Sequence, residues 1–269
     1  MLVPLAVIVV GMAILGPEEL ADYKDQGILN KVNVQEVETD TEGYRYALSS
    51  NEKLYILSKS LNSQALPESE QSAMTRGESG NRDYQELMGS YALVVNRKDS
   101  KGQEVQEGQG ISLCGRALEE LQELGILPSS VKPLSEHAYT AVRYSAIEVP
   151  EPRNSVLVWK ISMTTGKQTA NRANRLLDAY VDADTGKMYE FYVRTDVTSW
   201  EDIDADEIVG AWAEYMGLEE PREYEGTNPL SETTSYFKKY TFRGIEGDST
   251  IVTVGFYEGI NELFLKISR

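Results

Sequence analysis

Cysteine and histidine are almost missing from this sequence. Among its 269 residues there is one cysteine, Cys114, and one histidine, His137. A single cysteine cannot close a disulfide within the chain, and zinc sites of the usual kind need several Cys or His ligands. The composition therefore excludes a small disulfide-stapled scaffold and a structural zinc site.

Basic residues are also scarce. The chain has 26 Lys and Arg against 43 Asp and Glu, a formal net charge of −17, and no basic run. Contacts to nucleic-acid phosphates need clustered Lys and Arg, so we expect no nucleic-acid partner. We interpret the acidity as solvation and self-repulsion of a folded body. An apolar fraction of 41% is enough to build a sizeable core.

Only one long apolar run is present, LVPLAVIVVGMAIL at residues 2–15. It carries no charge and is shorter than the roughly 20 residues of a typical membrane-spanning helix. We favour a membrane anchor, with a cleaved signal peptide and a buried helix of the folded body as alternatives. The expected location is the cell membrane, with a single pass through residues 2–15 and the bulk extracytoplasmic.

Residues 17–110 are predicted to form a polar N-terminal region with one helix and a flexible linker. Ser49 and Glu52 have the spacing of a capping box and should open a helix. Alternating apolar residues at 32–37 predict a strand. The run at residues 91–95 also predicts a strand, while the Ser-, Glu- and Gly-rich residues 62–86 indicate a loop.

The rest of the chain looks like an approximate duplication of a helix followed by strands. Helices are predicted at residues 117–128 and 208–218. Strands are predicted at residues 139–149, 156–163, 177–181 and 188–193 after the first helix, and at 236–242, 251–257 and 263–267 after the second.

This order predicts an α+β fold of two tandem helix-on-antiparallel-sheet units, 111–198 and 199–269, behind a single N-terminal apolar helix at residues 1–16. Each helix should cover its own sheet. Trp159 and Trp212 should therefore be buried in separate cores.

The hairpin sequence DAYVDADTGKMY at residues 178–189 resembles the V-D-A-x-T-G hairpin of PepSY-like domains. The layout also resembles the cystatin-like, membrane-anchored outer domains of Firmicute proteins such as the regulators YycH and YycI. Beyond residues 178–189 the resemblance is one of topology. It implies inhibition, sensing or protein contact outside the membrane rather than catalysis. It transfers no functional residue, because the matched residues build a turn.

Two patterns that suggest chemistry fail on inspection. Asp182, Asp184 and Gly186 are spaced like part of a calcium loop, but glycine is fifth instead of sixth and no glutamate is twelfth, so we interpret a plain turn. Cys114 and His137 could form a nucleophile and base, but Cys114 lies on an apolar helix face, where a buried thiol is expected. We therefore expect no catalytic residue, metal or cofactor.

Four aromatic residues are predicted to lie on the sheet face that the helices leave open: Tyr180, Tyr192, Tyr257 and Phe264. They either pack against the rest of the protein or form a partner-binding face, since exposed aromatics are common binding anchors. Our leading hypothesis is a non-catalytic extracytoplasmic protein that binds or senses another protein of the cell envelope. The alternatives are a cell-envelope hydrolase with an unrecognised carboxylate site and a structural spacer.

Overall fold

The computed structural model describes residues 45–64, 90–97, 105–131, 139–165, 174–224, 236–245 and 247–268. The predicted helix at residues 2–15, the predicted strand at 32–37 and most of the predicted loop at 62–86 lie outside these ranges. The described helices are α1 (Ser50–Gln64), α2 (Glu107–Glu123) and α3 (Ala205–Met216). The described strands are β1 (Tyr91–Val95), β2 (Tyr139–Glu148), β3 (Ser155–Thr164), β4 (Arg175–Asp182), β5 (Met188–Arg194), β6 (Arg222–Glu223), β7 (Phe237–Arg243), β8 (Ser249–Tyr257) and β9 (Glu262–Ser268).

Local structure follows the sequence patterns closely. The predicted strand at residues 91–95 is confirmed, and the seven strands predicted after residue 111 are present with bounds that differ by at most two residues. The capping box is also confirmed, because the Ser49 backbone N–H donates to the Glu52 carboxylate while the Glu52 N–H donates to the Ser49 hydroxyl. Helix α2 begins ten residues earlier than residue 117, at Glu107.

All described strands belong to one antiparallel sheet in the order β1-β2-β3-β4-β5-β9-β8-β7-β6. Strands β5 and β9 join the two halves of this sheet, with Phe191 opposite Leu265 and Arg194 opposite Glu262. The predicted fold class of two tandem helix-on-sheet units is therefore wrong. A strand shows the same alternation of apolar and polar residues whether one or both of its edges are paired. The sequence pattern therefore did not show that β5 and β9 would pair.

Helices α2 and α3 cover the same face of the sheet. Gly110 of α2 lies directly under the Trp159 ring, since a Cβ at this glycine would be 2.5 Å from the indole. Trp212 of α3 stacks edge-on against Phe242 at 5.8 Å and donates its indole N–H to the Met188 carbonyl. Both tryptophans are fully buried in one continuous hydrophobic cluster. The predicted separate cores are therefore wrong.

Helix α1 lies on the opposite face, and the sheet curls around it. Tyr55 makes an edge-on ring contact of 5.9 Å with Tyr91 of β1 and donates a hydrogen bond of 2.8 Å to Asp248 before β8. In a flat sheet, strands at the first and seventh positions would lie about 29 Å apart, at about 4.8 Å per strand. One tyrosine can reach both sides only if the sheet is strongly curved. We call the α1 side the concave face and the α2–α3 side the convex face.

The curvature explains the burial of α1. Every residue from Leu54 to Ser60 is buried, which includes all sides of two helical turns. The helix contacts β1, β2 and β3 in one half of the sheet and β8 and β9 in the other. A helix that the sequence placed outside both units thus packs against both halves of a single sheet.

Candidate functional site

An aromatic row crosses the concave face from β5 to β7. The register places Tyr192 opposite Phe264, Phe264 opposite Gly255, and Gly255 opposite Phe237. Residues paired across antiparallel strands share one face of the sheet. Gly255 leaves room for its neighbour, because a Cβ there would lie 2.3 Å from the end of the Phe264 ring. We call Tyr192, Phe264, Gly255 and Phe237 the aromatic row.

Phe264 is the centre of a three-ring stack in this row. Its ring centroid lies 5.5 Å from that of Tyr192 and 4.9 Å from that of Tyr257, with interplanar angles of 20° and 26°. Phe264 is 7% exposed, whereas Tyr257 is 38% exposed. The stack thus connects a buried ring to a ring that faces solvent.

Three of the four predicted site residues are therefore in one stack. Tyr180 lies on the same face but outside the stack, opposite Lys160 and Glu190 in the register. The Lys160 ammonium lies 5.7 Å from the Tyr180 ring centroid. A partner-binding role for these four aromatics stays a prediction.

An arginine that the sequence analysis missed completes the stack. The Arg175 guanidinium lies 4.3 Å from the Tyr192 ring centroid and donates to both carboxylate oxygens of Glu262, at 2.8 and 2.5 Å. Asp178 accepts a third bond from it. Burial alone would lower the pKa of Arg175, but Glu262 and Asp178 raise it above its usual value. The two hydrogen bonds between Arg175 and the buried Glu262 carboxylate fix the guanidinium against the Tyr192 ring.

A second buried glutamate lies beside the stack on the same face. Glu190 is 7% exposed and accepts the backbone N–H of Ile267 at 3.0 Å. Burial raises its pKa to about 7, while the Ile267 N–H and the charges of Lys266 and Lys160 act in the opposite direction. This carboxyl group changes charge near neutral pH at the place where β5 and β9 meet.

The hairpin that carries the family resemblance has a structural task. The Asp182 carboxylate, 1% exposed, accepts the backbone N–H groups of Asp184 and Thr185, the Tyr189 hydroxyl and the Lys53 ammonium of α1. Gly186 adopts the positive φ of 76° that this turn requires. These residues form a hairpin turn that also anchors α1.

The single cysteine is a buried apolar contact. Cys114 has no exposed surface, and burial raises the pKa of its thiol to about 12, so the thiolate is rare near neutral pH. His137 lies outside the described residues. Within the described ranges, no cluster of three or more His, Cys, Asp or Glu side chains could hold a metal ion.

Two open clefts are found among the described residues. One of about 600 Å³ lies between the end of β5 and the β8–β9 turn, and one of about 800 Å³ lies between the loop after α3 and the start of β8. Of the carboxylates of the second, Asp248 accepts from Tyr55 and Lys59, and Glu219 lies 3.9 Å from Arg243. This pairing gives no specific support to the hydrolase alternative.

Comparison with known proteins identifies no relative of this chain. No protein-family model matches the chain, and no curated protein and no solved structure matches it significantly. The resemblance to PepSY-like domains therefore stays a prediction. No helix in the described ranges has the length and apolar character to span a membrane, and residues 2–15 lie outside those ranges.

Proposed function

We propose that this chain is a non-catalytic, membrane-anchored extracytoplasmic protein that binds or senses another protein of the cell envelope through its concave face. The observation that carries the proposal is the stack of Tyr192, Phe264 and Tyr257, which ends in a solvent-facing ring. Large aromatic side chains that are partly exposed and held rigidly are typical anchors of protein interfaces.

The stack is held in place before any partner arrives. Phe264 is fixed from below by Gly255 and from the side by Tyr192, which itself lies against Arg175. A side chain that is already ordered loses little conformational entropy on binding, so its buried area contributes more to affinity. Tyr257 combines an apolar ring with a hydroxyl group, so it can face water in the free protein and be buried when a partner binds.

Site-specific cross-linking in intact cells tests the proposal. A photoreactive phenylalanine analogue replaces Tyr257 in the full chain, and the cross-linked products of the membrane fraction are identified by mass spectrometry. We expect one discrete protein adduct, because a defined partner lies against the ring. The matched control places the same analogue at Leu124, which is 47% exposed at the end of α2 on the convex side.

The control distinguishes a specific binding site from nonspecific association with other proteins. An adduct from position 257 that is missing from position 124 supports the proposal, whereas the same adducts from both positions, or no adduct from position 257, contradict it. Fractionation of the same cells tests the membrane part, because deletion of residues 2–15 should release an anchored protein from the membrane fraction. Retention after that deletion would contradict anchoring by this segment.

A further inference from the structure

A second row of side chains crosses the concave face next to the aromatic row. In one half of the sheet Lys160 lies opposite Tyr180, and Tyr180 lies opposite Glu190. In the other half Lys266 lies opposite Thr253, and Thr253 lies opposite Lys239. The charges of Lys160 and Lys266 both act on Glu190, which joins the two half-rows at the β5–β9 seam. We call Lys160, Lys266 and Lys239 the lysine row.

The lysine row reverses the charge of the protein locally. The chain has a net charge of −17, yet none of these three lysines forms an ion pair with any residue that the structure describes. Lys266 is exposed, and the other two are half-buried. Two nearby carboxylates, Asp178 and Glu262, share the one guanidinium of Arg175. With Glu190 they make three acidic groups against four cations, the three lysines and Arg175. A surplus of positive charge therefore remains along the row.

Aromatic rings hold two of these ammonium groups without neutralising them. Lys160 lies over the Tyr180 ring at 5.7 Å, and Lys239 lies 5.3 Å from the Phe237 centroid and 5.7 Å from that of Tyr224. Cation–π contacts fix the direction of a lysine but leave its charge available to a partner. The aromatic rings and the ammonium groups thus form one preorganised surface.

We infer that the lysine row and the aromatic row together bind an acidic segment of a partner polypeptide, whose carboxylates lie on the lysines and whose apolar or aromatic side chains lie on Phe264 and Tyr257. This inference rests on the proposed function and names the chemistry of the partner. Opposite charges across an interface set specificity and speed association.

The dimensions of the row fit a short segment. At about 4.8 Å per strand, Lys160 and Lys266 lie about 14 Å apart and Lys266 and Lys239 about 10 Å apart. On this concave face, a segment that spans the row therefore covers at most about 24 Å, which corresponds to at most about seven residues of extended chain.

Binding of defined peptides to the purified full chain in detergent tests the inference. The probe is a fluorescein-labelled peptide of alternating Glu and Tyr, and its counterpart of alternating Lys and Tyr serves for comparison. The triple variant is Lys160→Gln, Lys239→Gln and Lys266→Gln. A control variant with the same change of net charge carries three substitutions at exposed arginines away from the row: Arg116→Gln, Arg153→Gln and Arg243→Gln.

We expect the acidic peptide to bind the wild type and to lose about tenfold in affinity in the triple variant, because three charge pairs are removed. The control variant should stay within about twofold of the wild type, since charges beyond about 10 Å are largely screened by salt. Glu190→Gln should tighten binding, because it removes the carboxyl group that lies between Lys160 and Lys266. The single variant Lys266→Gln should show a smaller loss of affinity for the acidic peptide. Because this lysine is exposed, its result does not depend on whether the triple variant folds.

Three results would overturn the inference: equal losses in the two triple variants, preference for the basic peptide, or no loss in Lys266→Gln. Binding to vesicles of anionic phosphatidylglycerol that depends on the lysine row, without binding of the acidic peptide, would also overturn it and would indicate a membrane surface instead. A discrete adduct from position 257 combined with any of these results would leave the proposed function standing, so the two failures are distinguishable.

Discussion

The two faces of the sheet differ in the kinds of side chains that they bury. The convex face is apolar at its centre: one of its cross-strand rows contains Ile161, Ala179, Phe191, Leu265 and Val254, all buried under α2 and α3. The concave face buries polar groups as well, among them Asp182, Glu190 and Glu262. Apolar burial stabilises a fold without specifying partners, whereas buried ionisable groups need defined partners. The centre of the convex face is thus buried by apolar packing, whereas the buried acids of the concave face are satisfied by ion pairs and hydrogen bonds.

The largest expected effect is on the convex face. Trp212→Ala removes a fully buried indole, its edge-on contact with Phe242 and its hydrogen bond to Met188. We expect the free energy of unfolding to fall by about 4 kcal/mol, as for other large-to-Ala changes in protein cores. Chemical denaturation followed by circular dichroism measures this loss.

The matched change on the concave face is Tyr257→Ala. This ring is 38% exposed, so its removal should cost about 1 kcal/mol or less while it abolishes partner binding. The comparison between the faces breaks down if the two substitutions cost the same free energy of unfolding.

The same contrast decides what the sequence could predict. Alternation of apolar residues identified the strands, since it depends on one side of each strand being buried. It did not identify the curl of the sheet, because closure around α1 depends on contacts between Tyr55, Tyr91 and Asp248 that are far apart in the chain. Helix α2 was predicted too short for a related reason: its first half contains Gly108, Gly110 and Gly115, which disfavour a helix locally. Gly110 is nevertheless required under Trp159.

The candidate site was predictable in part. Strand periodicity placed Tyr192 on the open face of one predicted sheet and Tyr257 and Phe264 on that of the other. Their stacking depends on the pairing of β5 with β9, which the sequence did not predict. Arg175 and Glu262 form a pair 87 residues apart in sequence, and nothing local marks either residue. The lysine row has the same origin, since its three members come from three strands and only the order of the strands brings them together.

An intermediate effect is expected at the anchor of α1. Asp182→Asn keeps an oxygen for the turn but leaves the Lys53 ammonium, 21% exposed, without its carboxylate. We expect a loss of about 3 kcal/mol at neutral pH, as for a broken buried ion pair. Burial raises the pKa of Asp182, but the N–H groups of the turn, the Tyr189 hydroxyl and Lys53 lower it more, so the pKa is below 3.8.

The pH dependence of this effect follows from that direction. A carboxyl group with a depressed pKa stabilises the fold above its unfolded value of 3.8 and loses this contribution as the pH falls through its folded value. The difference in unfolding free energy between wild type and Asp182→Asn should therefore be constant from about pH 5 to about pH 8 and shrink in stronger acid. A difference that grows as the pH falls would contradict the assigned role of Asp182.

A further effect has the opposite sign and concerns the concave face alone. Glu190 has a pKa raised by burial from 4.5 to about 7. Below pH 4.5 the carboxyl group is protonated in both the folded and the unfolded chain, so it does not affect stability. As the pH rises from 4.5 to about 7, the unfolded chain ionises while the folded chain stays protonated, so the fold is destabilised over this range and the loss is complete above it. Glu190→Gln removes the charge and keeps an oxygen for the Ile267 N–H, so it should stabilise the protein by about 2 kcal/mol at about pH 8 and leave it unchanged near pH 4.

Glu262→Gln provides the contrast on the same face, because it weakens the buried pair with Arg175 and should destabilise the protein at neutral pH. Thermal unfolding of both variants across this pH range measures the two effects. Destabilisation by Glu190→Gln at about pH 8 would mean that the ionised carboxylate is paired with Lys160 and Lys266 in the folded protein, and the lysine row would then have no surplus charge to offer a partner.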